Sequence, residues 1–483
     1  IQEVGSSNLL PSTKSRTCLR LPKAVFLLYR SRNGHYSPRI TPCRFKRPPS
    51  METGMTTWKW SKIALLVVAA TAWTTHAFMD EVIRISENAA RTSKTTKKAD
   101  KEMPGSAQEG SWTIQMDFHD QIFPSFAIST ATMQSDVGED TAILGDANGS
   151  IGIQVVSPSN QLPIHVAIEA GRYIRESHFT GTLPKRGETC WIYPKLDYDF
   201  EALRELSQQM PVNLRVTVQL GDLPPQTRLQ TVILRSINDC PLAVYHLPEG
   251  KTWEEADEEE VEVVDVSWMI AAYVNENHPW IQEILKEALT SEIVDSFDGY
   301  QSEDPQQVYA QVFAVWHALR SKGVRYSDIT ANAEGSPLVS SQHVRFIEET
   351  VRHSQANCVD GSVVLASILR KIGLKCQLAL VPGHCYLTFA LDENEEDFAG
   401  LETTLIGSKE FDKPSGLDSA MRKLARSNKT LPSWPSFAAA ISVGTEELKE
   451  QIDSLADEDE ADYLLVDIES ARQLGIMPLG YHP

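Results

Sequence analysis

The chain has 483 residues, of which 42% are apolar, 8% aromatic and 23% charged. That is an ordinary globular composition: at about 150 residues per domain it allows two or three domains, and it excludes wholesale disorder or a fibrous chain. The formal net charge of −20 argues against a nucleic-acid partner, because neutralising phosphates takes a basic surface. Seven cysteines are too few for a disulfide framework. The sequence contains no G-x-x-x-x-G-K phosphate loop, no G-x-G-x-x-G, no H-E-x-x-H and no paired C-x-x-C, so it implies no cofactor or metal.

Residues 1–50 carry ten Lys or Arg and a single acid, Glu3, and are expected to lie upstream of the true start. From Met51 or Met55 the text reads as an export signal. Lys59 and Lys62 form a positive flank, Ile63–Trp73 an apolar stretch, and Thr75-His76-Ala77 a small-residue cleavage site. The apolar stretch is shorter than the roughly 20 residues a membrane-spanning helix needs. The expected location is therefore the periplasm, cell envelope or exterior, with an uncleaved signal (51–77) the sole route to a membrane. Residues 78–110, rich in Ser, Thr, Lys and Gly, read as a linker.

From 111 to 248 the pattern is short, strand-like and punctuated by turns, as at Ala142–Leu144, Ile151–Val156, His165–Ile168, Val212–Leu220 and Thr231–Leu234. An antiparallel β-sandwich of the Ig-like kind is expected, with Asp146–Gly149 as an Asn-Gly hairpin turn rather than a calcium loop. Cys190 and Cys240, both in this region, are candidates for a disulfide. The acidic run at 249–265 reads as a solvated linker. Helical pattern follows at Trp268–Val274, Trp280–Ala288 and Val308–Leu319, then a loop-like stretch from Tyr326 to Ser341.

The next stretch is the most informative. Val359–Lys371 reads as a helix stopped by Gly373, with Asn357 as its N-cap and Asp360 completing a capping box. Cys376–Val381, His384–Leu391 and Phe398–Thr404 read as three hairpin-linked strands. Cys358 thus opens a helix, where unpaired N–H groups and the macrodipole favour a thiolate. His384 opens a strand and Glu402 lies on its neighbour, the thiol form of a nucleophile–base–orienter arrangement. Gln355 and Gln342 are candidate oxyanion donors beside the Cys358 N–H. A zinc site from Cys358, His384 and Cys385 has no recognised ligand spacing; Cys376 and Cys385 read as packing residues. Residues 409–483 read as a helical extension, with a surface helix at Glu446–Leu455.

The motifs NCVDGSVVLASILRKIGL, LVPGHCYLTF and LETT resemble the core of transglutaminase-like proteins, specifically over 342–404 and more loosely from Val266. The resemblance is nearest to bacterial exported members with a β-rich segment ahead of the core. It implies a papain-like α+β fold at 266–408, with Cys358 as nucleophile, His384 as base and Glu402 as third member where Asp is usual. The implied activity is amide hydrolysis or acyl transfer on a protein or peptide, as peptidase or deamidase. A second reading keeps the fold but makes the protein a catalytically inactive envelope component with a binding or scaffold role.

Overall fold

The structure, a computed structural model, describes residues 110–480 apart from 134–141, 258–259, 328–336 and 458–461, together with residues 29–30 and 36–37, which pair as two short strands. The expected export signal, and nearly all of the leader and linker around it, lie outside the described residues. Among the described residues no helix is long and apolar enough to cross a membrane. The fold is mixed α and β, built on several separate sheets.

The β-rich part begins with β1 (Trp112–Met116), β2 (Gln121–Ile122), α1 (Pro124–Ser129), β3 (Ile143–Gly145) and β4 (Ile151–Val156). It continues with β5 (Leu162–Ala170), β6 (Ile174–Leu183), β7 (Thr189–Tyr193), β8 (Asp197–Tyr198), α2 (Phe200–Arg204), β9 (Met210–Leu220) and β10 (Gln226–Leu234). A six-stranded sheet, β8-β6-β5-β9-β10-β2, and a four-stranded sheet, β1-β4-β7-β3, share one apolar core. In β9 the alternation is what the pleat requires: Val212, Leu214, Val216, Val218 and Leu220 point inward and are buried.

Two expectations fail here. The pairing is not wholly antiparallel, since β2 runs parallel to β10 and β3 parallel to β7. Asp146–Gly149 does form a turn, closed by Gly149 N–H to the Asp146 carbonyl at 3.0 Å. It is not a hairpin, because β3 and β4 lie on opposite sides of β7. Short-range turn chemistry was readable; the choice of strand partner is a long-range matter that it does not decide.

The chain continues through β11 (Asp239–His246), β12 (Glu262–Asp265), a 3-10 turn at Ser267–Tyr273, α3 (Pro279–Thr290), α4 (Pro305–Ser321), β13 (Arg325–Tyr326) and β14 (Val339–His343). β11 pairs with β12 on one side and β14 on the other. The acidic run is therefore not linker throughout: its last four residues form β12, with Val264 buried against β11. α4 is buried along most of its length, and the Trp316 indole N–H bonds Ser436 Oγ at 3.2 Å.

Then come α5 (Ile347–His353), β15 (Gln355–Ala356), α6 (Cys358–Lys371), β16 (Cys376–Val381), β17 (His384–Ala390), β18 (Phe398–Leu401), α7 (Ser419–Asn428), α8 (Trp434–Leu455), β19 (Leu464–Asp467) and α9 (Ile468–Gln473). β18-β17-β16-β19 form an antiparallel sheet. The C-terminal extension is thus not helical throughout: β19 adds a fourth strand beside β16. Cys385, Leu387 and Phe389 join the core that contains α6, whereas Tyr386 and Ala390 pack with Leu448 and Leu455 of α8.

Candidate active site

Asn357 caps α6, accepting from Asp360 N–H at 2.8 Å while Asp360 accepts from Asn357 N–H at 3.1 Å. This reciprocal box sets Cys358 as the first residue of the helix. The Cys358 carbonyl accepts from Ser362 Oγ at 2.8 Å and from Thr403 Oγ1 at 3.2 Å. That second bond ties the helix start to the segment bearing Glu402. Gly361 permits the approach, since a Cβ there would sit 3.0 Å from the Thr403 hydroxyl.

Glu402 was expected on the strand. It stands one residue past the end of β18, capping a 3-10 turn at Thr403–Leu405. Oε1 accepts Thr404 N–H at 2.8 Å and the Thr404 hydroxyl. Oε2 faces His384 Nε2 at 2.7 Å. Burial alone would raise the Glu402 pKa; the hydrogen bonds from His384 and Thr404 outweigh it and hold the carboxyl below the ordinary range.

His384 opens β17, half-buried, with Tyr386 of the same strand 6.2 Å away ring to ring. Hydrogen bonds to Cys358 and to Glu402 outweigh burial and raise its pKa to about 10. Glu402 occupies Nε2, which leaves Nδ1 as the nitrogen for the thiol. Both partners thus favour the protonated form of the imidazole.

The structure brings Cys358, His384 and Glu402 together. Gln355 is exposed on β15, three residues before Cys358. Gln342 lies on β14 opposite Cys240, and its amide donates to the His343 carbonyl at 2.9 Å. Cys385 is buried, which pushes its thiol pKa up, and among the described residues it joins no cluster with metal-ligand spacing. Cys190 and Cys240 are buried in different cores and unbridged.

Sequence reasoning missed Glu447, on the buried side of α8. Its carboxyl, with Glu402 and His384, forms a group whose nearest polar atoms lie within 4.8 Å of one another. Burial first, and then the Glu402 charge, raise its pKa to about 7. Glu402 Oε2 is already bonded to His384 Nε2 at 2.7 Å, and Glu447 Oε2 is buried with no hydrogen-bond partner among the described residues. Its sequence context, TEELKEQ, reads as a solvated helix face and gives no signal of this. A comparison with protein-family models and a search of curated proteins found no match to this chain.

Proposed function

We propose that this protein is a cysteine-dependent amide hydrolase or acyl transferase of the transglutaminase-like kind. In this reading a papain-like core carries the site, an Ig-like β-sandwich precedes it, and the protein is exported. The observation that carries the reading is His384, held by Glu402 at 2.7 Å through Nε2, with the Cys358 thiol as the other side chain that raises its pKa.

The Cys358 thiolate attacks the amide carbonyl, and the negative charge passes to the carbonyl oxygen, near the N–H groups at the start of α6. His384 gives its proton to the leaving nitrogen as the C–N bond breaks, leaving a thioester on Cys358. Water, or a substrate amine, then attacks the thioester while neutral His384 takes its proton. Collapse expels the thiolate and restores the ion pair. Glu402 holds the ring in one orientation and stabilises the imidazolium. Hydrolysis is the favoured outcome, giving peptidase or deamidase activity on a protein or peptide. The acidic chain favours neutral or basic substrates through long-range steering.

The test is iodoacetamide alkylation of Cys358 against pH, read by mass spectrometry in wild type and in His384→Ala. Rapid alkylation at pH 6 is expected, falling about a hundredfold in the variant, because an ordinary thiol is less than about 1% ionised there. A positive result leads to a screen of glutamine and peptide-amide substrates. Slow alkylation, indifferent to His384, sinks the enzyme reading in favour of a silent envelope protein.

A further inference from the structure

The geometry points to Glu447 as a positioning residue for the Cys358–His384–Glu402 site, a carboxyl delivered by α8 that shares a proton with Glu402 and so holds that carboxylate against His384. The inference rests on the cysteine-nucleophile reading above and deepens it.

Three observations carry it. First, one polar atom of each of Glu447, Glu402 and His384 lies within 4.8 Å of the others, and Glu447 Oε2 is buried with no hydrogen-bond partner among the described residues. Two buried carboxylates this close cannot both stay charged cheaply; a proton on one of them removes the repulsion and lets it donate to the other. Glu402 is committed as the anion by His384 and Thr404, which leaves the proton to Glu447. Second, the placement is rigid. Gly400 N–H donates to Thr445 Oγ1 at 3.1 Å and Glu402 N–H to the Ala440 carbonyl at 3.0 Å, so α8 is bonded directly to the strand end that bears Glu402. Third, Glu402 carries one methylene more than Asp, and a longer side chain needs more restraint. Thr404 fixes Oε1 and His384 engages Oε2; Glu447 closes the shell from α8.

The charged and titratable groups facing Glu447 are Glu402 from the end of β18, His384 and Tyr386 from β17, and Glu450 on its own helix. With Glu447 protonated, Glu402 receives a hydrogen bond and keeps its hold on His384. Once Glu447 ionises, it repels Glu402 and competes with it for the imidazolium, so the hold of Glu402 on His384 loosens.

The experiment is the pH profile of Cys358 alkylation by iodoacetamide in the full chain, comparing wild type with Glu447→Ala and Glu447→Gln. Circular dichroism checks that each variant is folded. Wild type is expected to show a downward step near pH 7, where Glu447 loses its proton. Glu447→Ala is expected to alkylate more slowly than wild type at pH 6, because Glu402 loses the restraint that keeps it against His384. Glu447→Gln, whose amide still donates to Glu402 but cannot ionise, recovers part of that loss and shows no step. A structural filler would instead make both variants equally slow at every pH, which overturns the proposal. Fast, His384-dependent alkylation with wild-type profiles in both variants overturns it alone. Slow alkylation in wild type that ignores His384→Ala overturns the underlying reading of the site and this proposal together.

Discussion

His384 is where the site's energetics concentrate. Its ordinary pKa of 6.5 rises to about 10 in the folded chain, because Cys358 and Glu402 both bond the ring. A group that binds its proton more tightly when folded adds stability that is fully present below the unfolded pKa and is lost as pH rises through the folded one. The His384 contribution is therefore complete below about pH 6.5 and disappears towards pH 10. Urea unfolding of wild type and His384→Ala across pH 6–10 is expected to show the variant less stable at pH 6 and the gap narrowing steadily towards pH 10. A gap that widens with pH would mean that the imidazole is held neutral. Cys358, His384 and Glu402 were legible in the sequence because each sits beside a local signal: a capping box, a Pro-Gly turn, a short strand. Glu447 was not. It lies 45 residues beyond Glu402 in a charged helical run, and only the packing of α8 turns it inward.

At the scale of elements, the site depends on how closely α8 crosses β18. A Cβ at Gly444 would lie 2.6 Å from Leu401 N and 2.7 Å from Glu402 N, and one at Gly400 would lie 2.0 Å from the Gly444 carbonyl oxygen. Both neighbours are backbone and cannot swing aside. Gly444→Ala is therefore expected to push α8 off the strand, costing about 1–3 kcal/mol as overpacking does. It should also slow Cys358 alkylation, because the Glu402 N–H to Ala440 bond breaks. Thermal unfolding and alkylation at pH 6 check the two effects. A variant that loses stability but alkylates at the wild-type rate would separate the crossing from the site. The sequence pattern showed only the C-terminal part of this helix. Trp434–Leu455 begins with Pro435, tolerated at a first turn, and runs through Gly444, which lowers helix propensity. Burial of Phe437, Ala440, Ile441 and Leu448 overrides both penalties. The three strands and α6 were readable within a few residues because hairpins and caps are local. The fourth strand, β19, was not, because its partner β16 lies more than eighty residues earlier.

The whole molecule is organised around two principal apolar cores: the larger draws on the chain from Cys240 onward, ahead of the acidic run near 249, and also on Phe118, Phe123, Phe126 and Met133 from within the β-rich part. A charge run marks exposed chain, whereas a core is bounded by which strands find partners. β11 finds its partners in β12 and β14, one within the acidic run and the other at the end of a loop-like stretch. Between the two cores stands Arg235, fully buried at the end of β10. Its Nε bonds Asp239 at 3.1 Å, and its other nitrogens bond Gln209 at 2.7 Å, Gln121 at 3.3 Å and Ser341 at 3.1 Å. These partners come from both sides of the division, so one guanidinium ties β2 and β10 to β14. Asp239 also receives His343 Nδ1 at 3.1 Å, which joins β11 to β14 a second time. Removing Arg235 would leave Asp239 buried without its main cation, a loss worth about 3–5 kcal/mol in comparable buried pairs. Arg235→Ala is expected to lower the urea midpoint by that measure and to split a single calorimetric transition into two, as the cores lose their shared clamp. A paired change, Arg235→Met with Asp239→Leu, should recover most of the stability, since it leaves no buried charge unpaired. If Arg235→Ala instead unfolds in one transition within about 1 kcal/mol of wild type, the junction is held by apolar contact alone, and the ion pair serves only to satisfy its own burial.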